Sequence, residues 1–427
     1  MDVSDIGKGE VRREPREPGL SGAEGCAAGV GAQASAEARS PKPESQAIRR
    51  PRVLLINASH PSYNLGLEKA ARWWRRVHGA EIFRASEATP LFGFDAVWIS
   101  AIFSWDVPLL ISTAQMAMTK PFGNPAKVEV GGPGTFGVRQ AIFEQTGIWP
   151  QSTPDARFER EPAREPGDYK MVFWSRGCPA KNCTLGFPRD GQPPICSVPE
   201  MEGWRYTLYP DACPARLISD NNLSALPRAH QELIVERTLG AGFPSVDANS
   251  GFEPRSLATR PWAIELWRRL PLVAWRFAYD EAAERAAVLR VIALLDDAGI
   301  SRSRLHIYCL AGNEPLAECE ARVREINAWG AIPIVQARTP LDYMEGPLPC
   351  LHDWTDEKLR AFRRWGNRFG KGMPFSEYRH NFAEKPYRGE DLFSVELPEG
   401  AAPGELGSAP ADAGGAERRV PQLRLFG

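Results

Sequence analysis

Between Tyr169 and Arg338, short apolar runs recur with helix-length segments between most of them, and this rhythm constrains the fold more than any other feature. The runs are YKMVFWS (169–175), ARLISD (215–220), PSVDAN (244–249), LVAWRFA (272–278), RLHIYCL (304–310) and IPIVQAR (332–338). Each is a strand candidate carrying at least one β-branched residue. Between two of them, Val288, Val291, Ile292 and Leu295 repeat at helical spacing, and Gly299 stands where a helix C-cap glycine belongs. Right-handed crossovers wind such a series about one axis, so residues 168–345 are predicted to form a partial (β/α)6 TIM-type barrel. In that architecture chemistry gathers at the C-terminal ends of the strands.

A shorter alternation precedes it. RVLLIN (52–57), FDAVWISAIF (94–103) and KVEVGG (127–132) predict a Rossmann-like parallel-sheet domain over 51–150. The loops NASHPSYNLG and GGPGTFG follow strands, where such sheets place ligands, yet neither is the G-x-G-x-x-G fingerprint. The polar, Pro-rich 151–167 reads as a linker, and 346–396 as a helical extension. Residues 1–50 and 397–427 lack apolar periodicity and read as disordered tails. The predicted class is therefore α/β throughout.

Composition narrows the functions. A net charge of -1 offers no global attraction for nucleic acid or an acidic membrane. The tryptophan-rich ARWWRRVHG and WTDEKLRAFRRWGNRF read as amphipathic helices, which favours packing over base stacking. No apolar run approaches the ~20 residues of a membrane helix, and the N-terminus lacks a signal-like apolar stretch, so a cytoplasmic location is expected. The 8 cysteines are too dilute for a disulfide scaffold. Four of them cluster: Cys178, Cys183, Cys196 and Cys213.

Three of these lie in SRGCPAKNCTLGFPRDGQPPICSVPEMEG (175–203), directly after the first strand of the predicted barrel. A structural zinc site wants four ligands, usually as two close pairs, a spacing this loop lacks even if Cys213 completes the set. Three soft thiolates also suit a four-iron cluster with one iron left open to a non-protein ligand. Cys309 and Cys319 stand in apolar strand and helix contexts and read as inert core thiols.

The run SRGCPAKNC...CSVPEMEG resembles the cluster loop of radical S-adenosylmethionine enzymes, in particular a bacterial and phage-associated group reading roughly T-R-G-C-x-x-x-C-x-F-C-x-V-P-x-x-E-G. The resemblance extends over roughly 50–395. It implies that Cys178, Cys183 and Cys196 hold a 4Fe-4S cluster. The spacing departs from the family's by one residue in the first gap and by the insert TLGFPRDGQPPI in the second. An insert between ligands costs loop-closure entropy, which grows slowly with length.

Further segments carry the likeness along the chain. SDNNLSALPR resembles the family's D-N-N segment and implies that Asp220, Asn221 and Asn222 lie near the amino and carboxylate groups of S-adenosyl-L-methionine. DANSGFEPRSL resembles F-N-Q-G-L-D-A-R-L, which makes Asn249, Glu253 and Arg255 candidates for ribose and carboxylate contacts. Arg276 and Asp280, in AWRFAYD, are expected at the same end. For Asp220 and Asn222 a turn or helix-cap role weighs equally. The resemblance also implies an electron donor such as flavodoxin or ferredoxin, and cleavage of the cofactor to a 5'-deoxyadenosyl radical. The N-terminal domain resembles a cobalamin-binding-like domain, but it lacks D-x-H-x-x-G and its His60 precedes proline, so cobalamin is the lesser expectation.

The chain ends RRVPQLRLFG. Gln422, Leu423, Leu425 and Phe426 resemble the Q-L-x-L-F peptide by which bacterial proteins dock on the DNA polymerase sliding clamp. An apolar pair on a polar tail favours a pocket in a partner, or in the chain itself. Two expectations result: a radical enzyme of unnamed substrate, or a non-catalytic, metal-binding or scaffolding descendant tethered through its tail.

Overall fold

The computed structural model describes residues 49–85, 93–119, 127–153, 155–159, 161–178, 195–196, 198, 205–368, 372–378 and 418–419 of the 427. Within them the protein is a mixed α/β structure with parallel sheets and ten α-helices. No helix of the described residues is long and apolar enough to cross a membrane.

The first sheet is built from β1 (Arg52–Asn57), β2 (Glu81–Ala85), β3 (Ala96–Ser100) and β4 (Lys127–Gly131). A short β13 (Arg418–Arg419) joins its edge, giving the order β13-β2-β1-β3-β4, all parallel. Alternate residues of β1 enter different cores, as the two-residue period of a strand requires. Val53 and Leu55 pack with α1 (Leu65–His78), while Leu54 and Ile56 pack with α2 (Val107–Met118) and α3 (Arg139–Thr146). The helix α1 begins where the Asn64 side chain accepts from Leu67 N, and ends at Gly79 in the left-handed conformation.

The stretch expected as a linker is ordered into this unit. Gln151 forms a parallel bridge with Gly131, and the short α4 (Ala156–Glu159) places Phe158 against Trp73 and Trp98. Glu161, only 4% exposed, pairs with Arg76 of α1. An aromatic anchor and ion pairs at Glu159 and Glu161 fix a segment whose composition looks loose.

The second region contains β5 (Met171–Val172), β8 (Leu217–Ile218) and β9 (Asp247–Ala248) in one parallel sheet. A second parallel sheet holds β10 (Trp275–Ala278), β11 (Leu305–Ala311) and β12 (Ile332–Ala337). Parallel bridges Val246–Leu272 and Phe252–Phe277 join them, so six strands follow one another in chain order. Most of the gaps carry helices: α5 (Arg228–Gly240), α6 (Pro254–Thr259), α7 (Pro261–Trp267), α8 (Arg285–Asp297) and α9 (Leu316–Ala328). A last helix, α10 (Asp356–Arg368), packs on β12. One face of this row, with Val172, Ile218, Trp275, Phe277, Ile307 and Val335, belongs to the largest core.

The two regions come close together at Gly137. A Cβ on Gly137, in the 3-10 turn Pro133–Val138 after β4, would overlap the carbonyl of Leu341, four residues beyond β12. Only glycine fits there.

Candidate functional site

Strand β5 stops after two residues because the next backbone N–H groups have other partners. The Trp174 N–H donates to Asp220 Oδ2 at 3.0 Å, and Ser175 Oγ donates to Asp220 Oδ1 at 2.6 Å. Asn221 Oδ1 then accepts from Gly177 N at 3.1 Å, and Gly177 takes a φ of 98°, a left-handed value that glycine tolerates. The Trp174 carbonyl accepts from Tyr209 N and from His230 Nε2, both at 2.9 Å. The chain is thus held on both sides up to the residue before Cys178.

The return of the cysteine loop is held as well. β6 (Ser175–Arg176) pairs antiparallel with β7 (Thr207–Leu208), with Ser175 opposite Leu208 and Arg176 opposite Thr207. Tyr206, next to that stem, donates to the Asn222 carbonyl at 2.8 Å. Cys178 and Cys196 are both half-buried, whereas Cys183 and most of the insert lie outside the described residues. No group of three or more His, Cys, Asp or Glu placed to hold a metal occurs among the described residues.

The electrostatics of the stem follow from burial. Asp220 is fully buried, and desolvation pushes its carboxyl up to about 6 against the opposing hydrogen bonds from Ser175 and Trp174. Burial also pushes the Tyr206 phenol up, with Cys178 adding to the effect. Arg176 does not extend freely into the loop; its guanidinium lies 3.5 Å from the Phe173 ring centroid and 3.9 Å from Glu159.

The residues expected around a bound cofactor divide into those with internal work and those on an open strand face. Asp220 and Asn221 grip the backbone ahead of Cys178, and Asn222 Oδ1 accepts from Ser224 Oγ and Ala225 N, both at 3.3 Å. Glu253 is the N-cap of α6, accepting from Arg255 N and Ser256 N. Arg255 forms a surface ion pair with Glu284 at 3.0 Å. Asn249 follows β9, with its carbonyl accepting from Tyr308 Oη at 2.9 Å. Arg276 is 2% exposed and ion-paired with Asp247. Asp280 is half-buried beyond β10, accepts from Leu310 N at 2.8 Å, and is pushed up to about 7 by desolvation and then by Glu284.

Sequence reasoning missed Asp247, Tyr206, His306 and Tyr308. The signal for the last two was present: in LHIYCL, polar residues alternate with Leu305, Ile307 and Cys309, which marks a second strand face that is not apolar core. Cys309 and Cys319 are core thiols as expected, with burial pushing them up to about 12 and about 11.

In the first sheet the loops after β1 and β3 are knit by their own side chains. Ser59 Oγ donates to Asp106 Oδ2 at 2.5 Å, and Asn64 Nδ2 donates to Ser100 Oγ at 2.9 Å. Neither protein-family models nor curated protein sequences give a match to this chain.

Proposed function

We propose that the protein is a cytoplasmic radical S-adenosylmethionine enzyme, in which a Rossmann-like domain precedes a partial TIM-type barrel and Cys178, Cys183 and Cys196 hold a 4Fe-4S cluster. The observation that carries this reading is the pinning of the Trp174–Gly177 backbone by Asp220 and Asn221, immediately ahead of Cys178 and at the C-terminal end of β5. The donor set fits the group: soft thiolates of one loop, on a backbone fixed from behind.

The antiparallel β6–β7 stem answers the long insert. The ends of the loop are paired before any ligand binds, so the extra residues lengthen a loop that is already closed. A cluster of this kind supplies, when bound, the electron that cleaves S-adenosylmethionine to a 5'-deoxyadenosyl radical for hydrogen abstraction. The chain's own part is positional. Asp220 and Asn221 fix the backbone up to the residue before the first cysteine, while Asn249 and Arg276 stand beside or on the strand face available to a bound molecule. A flavodoxin or ferredoxin would donate the electron.

A second reading, a metal-binding descendant without radical chemistry, is favoured by one observation. Glu253 and Arg255 are engaged in their own helix cap and ion pair. Anaerobic reconstitution separates the two. A four-iron paramagnetic signal that shifts on adding S-adenosylmethionine and is lost in the Cys178→Ala/Cys183→Ala/Cys196→Ala variant supports the enzyme; zinc, or no metal, defeats it. Gln422, Leu423, Leu425 and Phe426 lie outside the described residues. Their docking on a sliding clamp is a separate proposal, tested by binding of the full chain to the clamp with and without Leu425→Ala/Phe426→Ala.

A further inference from the structure

The second face of the β9–β11 row carries a polar layer in a protein whose opposite face is packed core. Arg276 is in register with His306, and Ala278 with Tyr308, so His306 and Tyr308 project on the same side as Arg276. Asp247, on the neighbouring β9, pairs with Arg276 Nη1. Around them the face is partly open: His306, Tyr308 and Ile334 are half-buried and Ile332 is 42% exposed.

Among the described residues, two buried polar atoms in this layer have no hydrogen-bond partner: Nε of Arg276 and Nδ1 of His306. Buried donors without partners are uncommon, because leaving one unmade forfeits its hydration without return. A guanidinium 2% exposed, with one carboxylate on Nη1 and nothing on Nε, is a half-filled fork.

We propose that this layer is the site for the carboxylate group of a small organic acid, received on Nε of Arg276 beside the imidazole of His306. The planar carboxylate matches the side edge of the guanidinium. A phosphate dianion would bring a second negative charge against Asp247, which already occupies the other edge. Desolvation and the Arg276 charge hold His306 near 4, so its ring is neutral at pH 7 and can take either hydrogen-bonding role. Tyr308 is fixed by its bond to the Asn249 carbonyl, which keeps that flank of the site in place.

As a substrate site the layer rests on the radical-enzyme reading. As a carboxylate site it does not, and it is separable from the cysteine loop. The test uses the full chain and its Cys178→Ala/Cys183→Ala/Cys196→Ala variant, with succinate and acetate as probes and inorganic phosphate as counter-probe, at constant ionic strength. Saturable thermal stabilisation by the carboxylates is expected in both proteins, at least threefold larger than by phosphate, and lost in Arg276→Lys. His306→Ala, which serves if Arg276→Lys does not fold, is expected to weaken apparent affinity fivefold or more. An absent or non-saturable shift overturns the proposal. So do an equal shift with phosphate, an unchanged response in the variants, or competition by S-adenosylmethionine in the cysteine variant, which would assign the layer to the cofactor. Failure of iron reconstitution with the carboxylate response intact would defeat only the radical reading.

Discussion

Asn221 Oδ1 accepts the backbone N–H of Gly177 at 3.1 Å, across 44 residues of sequence and one residue before Cys178. Beside it, Asp220 accepts from both Trp174 N and Ser175 Oγ. The two pins are unequal, and their removal should show it. Asn221→Ala leaves one partly buried N–H unmade and is expected to cost about 1 kcal/mol, whereas Asp220→Ala orphans two buried donors and is expected to cost about 2 kcal/mol or more. Urea unfolding of the two variants measures this directly. Equal, negligible costs would mean that the loop does not depend on either.

Acid should reveal Asp280. Its carboxyl is raised to about 7 in the fold against an ordinary value of 3.8, so between those pH values the folded protein holds a proton that the unfolded chain releases. Stability from this group therefore falls as pH rises from about 4 to about 7 and is flat above. His306, lowered to about 4 from 6.5, acts in the opposite direction over about 4 to 6.5 and partly masks the slope in the native chain. Asp280→Asn keeps an acceptor for Leu310 N and removes only the carboxylate's share. Relative to the native chain it should gain on the order of 3 kcal/mol between pH 4 and pH 7.5. A pH-independent difference would show that Asp280 ionises freely.

Gly137→Ala is expected to destabilise by about 2 kcal/mol or more, because its Cβ would overlap the Leu341 backbone and neither segment is a flexible side chain. Gly240→Ala provides the contrast. It closes α5, meets nothing within 4 Å, and should stabilise by about 0.5 kcal/mol through the unfolded chain. Melting temperatures moving in opposite directions check both; a harmless Gly137→Ala would mean the two regions do not touch there.

Alkylation at pH 8 should leave Cys309 and Cys319 unmodified in the native protein, since both are buried and carry thiols raised to about 12 and about 11. Mass spectrometry before and after denaturation reads the outcome. Native labelling of Cys309 would contradict its place on the core face of β11.

Much of the strand succession was legible because buried strands advertise themselves through β-branched and aromatic runs. Their lengths were not. The expected strand 169–175 breaks at Phe173 because Asp220, distant in sequence, takes the Trp174 N–H out of the ladder. Strand β2 escaped notice since EIFRA buries only Ile82 and Phe83. Segment 151–167 looked like a linker because Phe158, a single residue among polar ones, supplies its anchorage. At the candidate site the cysteines announced themselves by clustering in a chain otherwise poor in them. The partners of Asp220, Asn221 and Glu253 could not be read, because the same side chains serve a ligand, a cap or a distant backbone N–H equally well, and only the fold selects among these.

The succession of β5, β8, β9, β10, β11 and β12 also bears on how the polypeptide comes into being. Each strand lies against the neighbour made just before it, so the row can lengthen at its edge as the chain leaves the ribosome, without waiting for later residues. The first sheet grows at two edges, β2 and then β3 adding to opposite sides of β1, and its β2 edge waits for β13, made near the end of the chain. Shortening the gene from the 3' side would therefore take β13 from the edge of the other sheet and then peel the row strand by strand, whereas losing β1 would divide that other sheet in two.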